Sequence, residues 1–170
     1  VGREIRRVPP NWAHPKKEYN RYVRGTFQTV MEYKPMYDQP FAPAMEEWYA
    51  EWKAHKPEDH EGMQYWEWNG GPPDPEYYRP DWPEGFATWY QVYQTVSEGS
   101  PVTPPFATPE ELVDYLVKNG DEWDQSRGHG GWDRKAAEQF VGTGFAMSLM
   151  VINGKVYSPR DGTPETSAPT

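Results

Sequence analysis

The side chains able to do chemistry are few, and their spacings fit no standard constellation. Zero Cys removes thiol catalysis, disulfides and Cys-ligated zinc. The four histidines are His14, His55, His60 and His129. His55 and His60 lie five apart with Pro57 between them, which misses the four-residue spacing that aligns two ligands on one helical face. Glu58, Asp59 and Glu61 beside them therefore read as a solvated loop rather than a hard-metal site. Ser97 and Ser100 lack the Gly-x-Ser-x-Gly elbow of a serine hydrolase. Asp121, Glu122 and Asp124 around Trp123 have the groups for acid–base work on a sugar, but the chain is so acidic here that composition alone accounts for them. The loop Gly128-His129-Gly130-Gly131, between Arg127 and Trp132, enters a helix start at Asp133. Free backbone N–H groups at such an entry attract anions, so Arg127, His129, Gly130 and Trp132 form a candidate anion site; a plain connector is the competing reading. The spacing matches neither a P-loop nor a dinucleotide fingerprint. No metal, cofactor or catalytic residue is assigned, and the chain reads as non-enzymatic.

The elements that must position these groups come from an unusual stock of apolar residues. Leu, Ile, Val and Phe make up 23 of the 170 residues, below the roughly 20% at which disorder is expected. Nine Trp and twelve Tyr reverse that expectation, because each ring can bury about 150–250 Å². The core is thus expected to be built largely from rings, despite a mean hydropathy of -1.00. No apolar run approaches the length of a membrane span and no signal-peptide pattern opens the chain, so a soluble, intracellular protein is expected.

Charge is segregated along the chain. Residues 1–34 carry +5, residues 35–125 carry -15 and residues 126–170 carry +1. The acidic block repels nucleic acid and anionic membrane and suits a basic protein surface. A solvated face that keeps an aromatic-rich protein soluble is the competing reading. The basic start, with Arg3, Arg6, Arg7, Lys16, Lys17, Arg21 and Arg24, is expected to pair internally with the acidic body rather than to contact an anion.

Local patterns give a mixed architecture. Prolines 9, 10, 15, 35 and 40 keep residues 1–42 extended, an arm-like basic segment, with a strand over Arg21–Val30. Pro43 opens an amphipathic helix over 43–54, with Met45, Trp48, Tyr49 and Trp52 on one face. From Gln64 to Phe86, rings alternate with Gly-Gly-Pro-Pro and Asp-Pro turns. Thr88–Val96 is a strand, stopped by the Ser97–Pro101 turn, where proline is expected to end the ladder. Thr108-Pro109-Glu110-Glu111 is a capping box opening a helix over 109–119, and Asp133 caps another over 134–141 that ends at Gly142. The hydrophobic run Phe145–Ile152 with Asn153-Gly154 predicts a hairpin. The fold class is α+β: a small, mainly antiparallel sheet containing 88–96 and the C-terminal hairpin, packed by about three short helices. Residues 1–158 read as one globular domain and 159–170 as a mobile polar tail.

Three blocks carry a family resemblance. Arg3-Glu4-Ile5-Arg6-Arg7-Val8-Pro9-Pro10-Asn11-Trp12-Ala13-His14-Pro15, Pro73-Asp74-Pro75-Glu76-Tyr77-Tyr78-Arg79-Pro80, and Tyr93 to Pro104 running into Thr108-Pro109-Glu110-Glu111-Leu112 resemble a family of small acidic proteins encoded by tailed bacteriophages and prophages. The resemblance implies a protein made in the cytoplasm of an infected host, with accessory or host-interaction roles and no catalytic residues to transfer.

The sequence therefore favours a phage accessory protein that binds a host protein with a basic surface, a defence component among the options. Thirteen of the 27 aromatic residues lie between Trp48 and Tyr93 inside the acidic block, and Trp and Tyr are favoured interface anchors. The expected binding residues are Trp48, Trp52, Trp66, Trp68, Tyr77, Tyr78 and Trp82. The alternatives are a sponge for a nucleotide-like immune signal, held by the Arg127–Trp132 loop and N-terminal arginines, and a virion or assembly protein. A ring-built core competes with all of them for the same side chains.

Overall fold

The computed structural model describes residues 2–55, 62–147 and 149–162. The fold is α+β, and the chain divides into two compact units, one of residues 1–34 with 83–170 and one of residues 35–82. None of the described helices is long and apolar enough to cross a membrane.

The larger unit is built on a four-stranded antiparallel sheet. Its strands are β1 (Gly2–Val8), β6 (Trp89–Gln94), β7 (Ser100–Pro101) and β8 (Phe145–Met147), in the order β7-β6-β1-β8. The basic start of the chain is thus a central strand. Ile5 lies opposite Val92 and Arg3 opposite Gln94, so these four share one face. Helices α3 (Pro109–Asn119) and α5 (Arg134–Thr143) cover that face, and Val92, Val102, Leu112, Val113, Leu116, Trp132, Ala137 and Phe140 close the core. Arginines in a central strand are tolerable only if their charge is spent. Arg3 Nε reaches Asp121 at 2.6 Å, Arg6 Nε reaches Glu4 at 2.6 Å, and Arg7 donates to Thr88 O at 2.8 Å while lying over the Tyr90 ring. Internal pairing thus occurs, and through Arg3 it reaches the acidic block at Asp121.

The opposite face carries a buried polar chain. His14 Nε2 lies 2.7 Å from Lys34 O and His14 Nδ1 lies 3.0 Å from the Tyr93 hydroxyl, which lies 3.1 Å from Gln91 Oε1; Gln91 Nε2 then donates to Thr103 O at 2.8 Å. Burial pushes the His14 imidazole below its ordinary value, against the hydrogen bond to Lys34 O and with help from Arg6 and Lys34.

Local signals decide most boundaries. Thr108 accepts from Glu111 N at 3.2 Å and Glu111 answers onto Thr108 N, with Pro109 at the first helical position. Asp133 caps α5 by accepting from Ala136 N, and the helix runs past Gly142 to Thr143, because the left-handed residue that closes it is Gly144. Residues 21–30 are not one strand. The turn at Arg24-Gly25, both at positive φ, folds them into a hairpin of β2 (Lys16–Val23) and β3 (Thr26–Tyr33). The run 145–152 divides: Phe145–Met147 joins the main sheet, while β9 (Met150–Ile152) and β10 (Lys155–Tyr157) form a separate two-stranded hairpin around Asn153-Gly154. The hairpin expected within the main sheet is therefore its own sheet. Pro101 does not end the ladder; it pairs with Tyr93 on the two-residue edge strand, where a missing N–H is harmless. Residues 159–161, expected to be mobile, form a turn of 3-10 helix, and Asp133 N donates to Arg160 O at 2.9 Å; residues 163–170 lie outside the described residues.

The smaller unit contains β4 (Tyr37–Pro40), α1 (Phe41–Ala54), α2 (Tyr65–Asn69), a 3-10 turn at Pro75–Tyr77 and β5 (Tyr78–Arg79), with β4 and β5 parallel. The α1 helix starts two residues before Pro43, which sits in the first turn where its missing N–H has no helical acceptor. His60, Glu58, Asp59 and Glu61 lie outside the described residues.

Candidate functional site

The seven rings expected to form a binding surface separate into distinct environments. Trp48 and Trp52 are stacked one turn apart on α1, with planes within 3° of parallel and centroids 6.4 Å apart. Tyr65 meets Trp48 edge-on at 5.6 Å and Trp68 edge-on at 5.1 Å, and His55 tilts over Trp68 at 4.4 Å. Tyr65 is only 6% exposed. Its hydroxyl donates to Glu51 at 2.7 Å and accepts from Asn69 Nδ2; the Glu51 bond holds the Tyr65 hydroxyl above its ordinary pKa. Trp48, Trp52 and Trp68 therefore serve as packing for this unit. Tyr78 packs on Tyr37 at 5.1 Å and Phe41 at 5.8 Å, Tyr77 is half-buried, and Trp82 takes the Arg79 guanidinium on its face at 4.9 Å. Only Trp66, at 45% exposure, stands open among the seven; Tyr49, 44% exposed, joins it as a ring that the expected set omitted.

The carboxylates of the same unit behave differently from its rings. Asp38, Glu46, Glu47, Glu51, Glu67, Asp74, Glu76 and Asp81 are all exposed. Among the described residues the unit offers two cations against them. Arg79 Nε is 3.2 Å from Asp38, and the Lys53 ammonium sits over the Tyr49 ring at 4.3 Å.

In the larger unit, three of the four expected anion-site residues meet in a cleft of about 470 Å³. Arg127, His129 and Trp132 line it, and Gly130 does not. They are held by α4 (Glu122–Ser126), a five-residue helix opened by a reciprocal cap: Asp124 N donates to Asp121 Oδ1 at 2.9 Å and Asp121 N donates to Asp124 Oδ2 at 3.1 Å. Asp121, 1% exposed, also takes Arg3, and Asp124 takes the Trp132 indole N–H at 2.7 Å. These two carboxylates anchor α4 to the first strand and to the Trp132 indole. Glu122 is raised above its usual range by partial desolvation, with Lys16 opposing and Asp121 adding to the shift.

Several backbone donors of the glycine loop and its flanks are spent internally. Gly128 N donates to Gln125 O, His129 N to Asp124 O, Trp132 N to Leu116 O and Asp133 N to Arg160 O. These four donors hold the loop onto the helices and are closed to an anion. Gly131 serves the same packing, because a Cβ there would overlap the Val117 carbonyl. Arg160 lies in a segment that reads as a tail, and Ser158 carries no local signal that marks it as a wall of this cleft. For Trp123 the available signal was its spacing from Arg127, one helical turn apart. Among the described residues no group of three or more His, Asp or Glu could hold a metal ion. Set against family models, curated proteins and solved structures, the chain matches none.

Proposed function

We propose that this chain is a non-enzymatic binding protein that engages a basic surface of a partner protein through the acidic face of residues 35–82, with Trp66 and Tyr49 as ring anchors. One observation carries the reading: every described carboxylate of that unit is exposed, against only two described cations, both already engaged. Such a surface accelerates encounter with a basic partner, and exposed rings then supply the desolvated contacts that hold it. The resemblance to proteins of tailed phages supports a bacterial host protein as that partner, with a defence component among the options, and the host cytoplasm as the place of meeting.

The test is capture of host proteins followed by binding measurements on the purified partner. The expected result is at least tenfold weaker binding for Trp66→Ala and a slower, less salt-sensitive association for the pair Glu46→Lys and Glu47→Lys. Failure to capture any specific partner, or parental binding by all of these variants, overturns the reading.

A further inference from the structure

The cleft of the larger unit has an imbalance between its hydrogen-bond donors and acceptors. Each of its three carboxylates has one oxygen or both filled from within, and the Oδ1 atoms of Asp124 and Asp161 face His129 Nδ1 at 3.7 Å and Arg160 Nε at 3.8 Å. Asp121 accepts from Arg3 Nε at 2.6 Å and Asp124 N at 2.9 Å. Asp124 accepts from Trp132 Nε1 at 2.7 Å and Asp121 N at 3.1 Å. Asp161 accepts from Ser158 Oγ at 2.5 Å and Ser158 N at 3.3 Å, and the Ser158 hydroxyl bond holds its carboxyl below the usual range. Two guanidiniums on the same cleft are not spent in this way. Arg127 lies over the Trp123 ring at 4.9 Å, and among the described residues its guanidinium makes no hydrogen bond. The closest carboxylate contact of Arg160 is Asp161 Oδ1 at 3.8 Å from its Nε, beyond hydrogen-bond reach. Each guanidinium carries five N–H donors in a planar fork suited to the oxygens of phosphate or carboxylate.

The cleft also has an apolar wall of the right kind. The Trp123 indole is 40% exposed and fixed in orientation by its N–H, which donates to Gln94 Oε1 at 2.9 Å. Val96, Val156 and Pro159 line the same space, and both valines are exposed. The volume of about 470 Å³ falls within the roughly 300–1,000 Å³ typical of small-ligand sites.

We propose that this cleft binds a planar ring carrying a phosphate, a ligand of nucleoside monophosphate chemistry, with the oxyanion on Arg127 and Arg160 and the ring against Trp123 and the valine–proline wall. The donors of two guanidinium forks outnumber the two carboxylate oxygens left without a hydrogen bond, and this surplus of donors selects an acceptor-rich group. The fixed indole and the apolar wall select a flat ring, which inorganic phosphate lacks. A net charge of -9 weighs against a polyanionic strand and costs a small anion far less. Every residue in the argument lies in residues 1–34 or 83–162, so this site stands or falls separately from the acidic surface of residues 35–82.

The experiment is a nuclear magnetic resonance titration of the full-length 15N-labelled chain with adenosine 5′-monophosphate, adenosine and inorganic phosphate in turn. The monophosphate is expected to shift the Trp123 indole N–H signal saturably, with adenosine and phosphate each binding at least tenfold more weakly. Arg127→Ala and Arg160→Ala are each expected to weaken the monophosphate by about tenfold or more, the scale of losing a charged hydrogen bond. Arg127→Lys should recover only part, because it keeps the charge and loses the fork. Both arginines are surface groups, and unchanged amide signals of the α3–α5 core report that each variant is folded. The absence of a saturable shift at several millimolar monophosphate overturns the proposal. Equal affinity in both alanine variants, or phosphate or adenosine binding as tightly as the monophosphate, overturns it as well.

Discussion

Residues 35–82 contain not one Leu, Ile or Val but eleven aromatic rings, whereas all 17 Leu, Ile and Val residues belong to the other unit. The two parts of this chain solve the same burial problem with different materials. In the larger unit, Leu112, Leu116 and Val92 are fully buried and make no polar demands. In the smaller unit the rings bring polar atoms with them. Tyr65 needs Glu51 and Asn69, and the buried Trp48 N–H has no hydrogen-bond partner among the described residues. Large apolar area is gained at the cost of polar groups to be satisfied. A high density of Trp and Tyr in an acidic segment is therefore first a statement about how that segment folds. Among the described residues of this unit, the exposed rings Trp66, Tyr49 and Tyr37 are the ones left for a partner.

The contrast can be broken by mutation, beginning where the effect is largest. Leu116→Ala removes a fully buried side chain from the aliphatic core and is expected to cost about 4 kcal/mol in urea unfolding. In the ring-built unit, Tyr65→Ala is expected to abolish the near-ultraviolet circular dichroism of the Trp48–Trp52–Trp68 cluster. Retention of that signal would show that the rings are not held by mutual packing. Gly131→Ala, with its Cβ forced onto the Val117 carbonyl, is expected to cost about 3 kcal/mol by the same urea measurement. Thr108→Ala removes the α3 cap and is expected to cost about 1 kcal/mol.

A smaller effect follows pH through the polar face of the larger unit. His14 has a folded pKa below its ordinary value near 6.5, so the unfolded chain binds its proton first. The stability this imidazole contributes is full above about pH 6.5 and is lost as pH falls through that value toward the folded pKa. Urea midpoints should therefore drop between about pH 7 and pH 5, and His14→Gln should flatten that part of the profile. The smallest change is expected at Trp66→Ala, within about 0.5 kcal/mol of the parent because the ring is exposed. A large loss there would place Trp66 in the core and remove it from the proposed interface.

The elements with strong local chemistry were legible before any coordinates. The Thr108 capping box, the Asp133 cap, the Asn153-Gly154 turn and the strand around Val92 each follow from a few neighbouring residues. The hairpin at Arg24-Gly25 was not legible as a turn, because Arg rarely adopts positive φ and an imperfect strand-like alternation runs through it. The centrality of β1 was hidden as well. Gly2–Val8 carries three arginines and reads as a basic arm packed on the domain, and only the pairing of those arginines with Asp121, Glu4 and Thr88 lets it run as a central strand. At the site, Arg127, His129 and Trp132 were found from the sequence because they are contiguous with a helix start. Arg3 and Arg160 join them from opposite ends of the chain.

By itself the sequence determined the α+β class, the capped helices, the ring-built character of residues 35–82 and the acidity of their surface, since each depends on composition or on groups within a few positions of one another. Tertiary structure alone decided which rings are packing and which remain open, which arginines are spent, and that a loop, a strand end and a supposed tail close one cleft. Those outcomes depend on long-range pairing, in which a carboxylate such as Asp121 is claimed by a residue 118 positions away. No local pattern encodes which donor will win it.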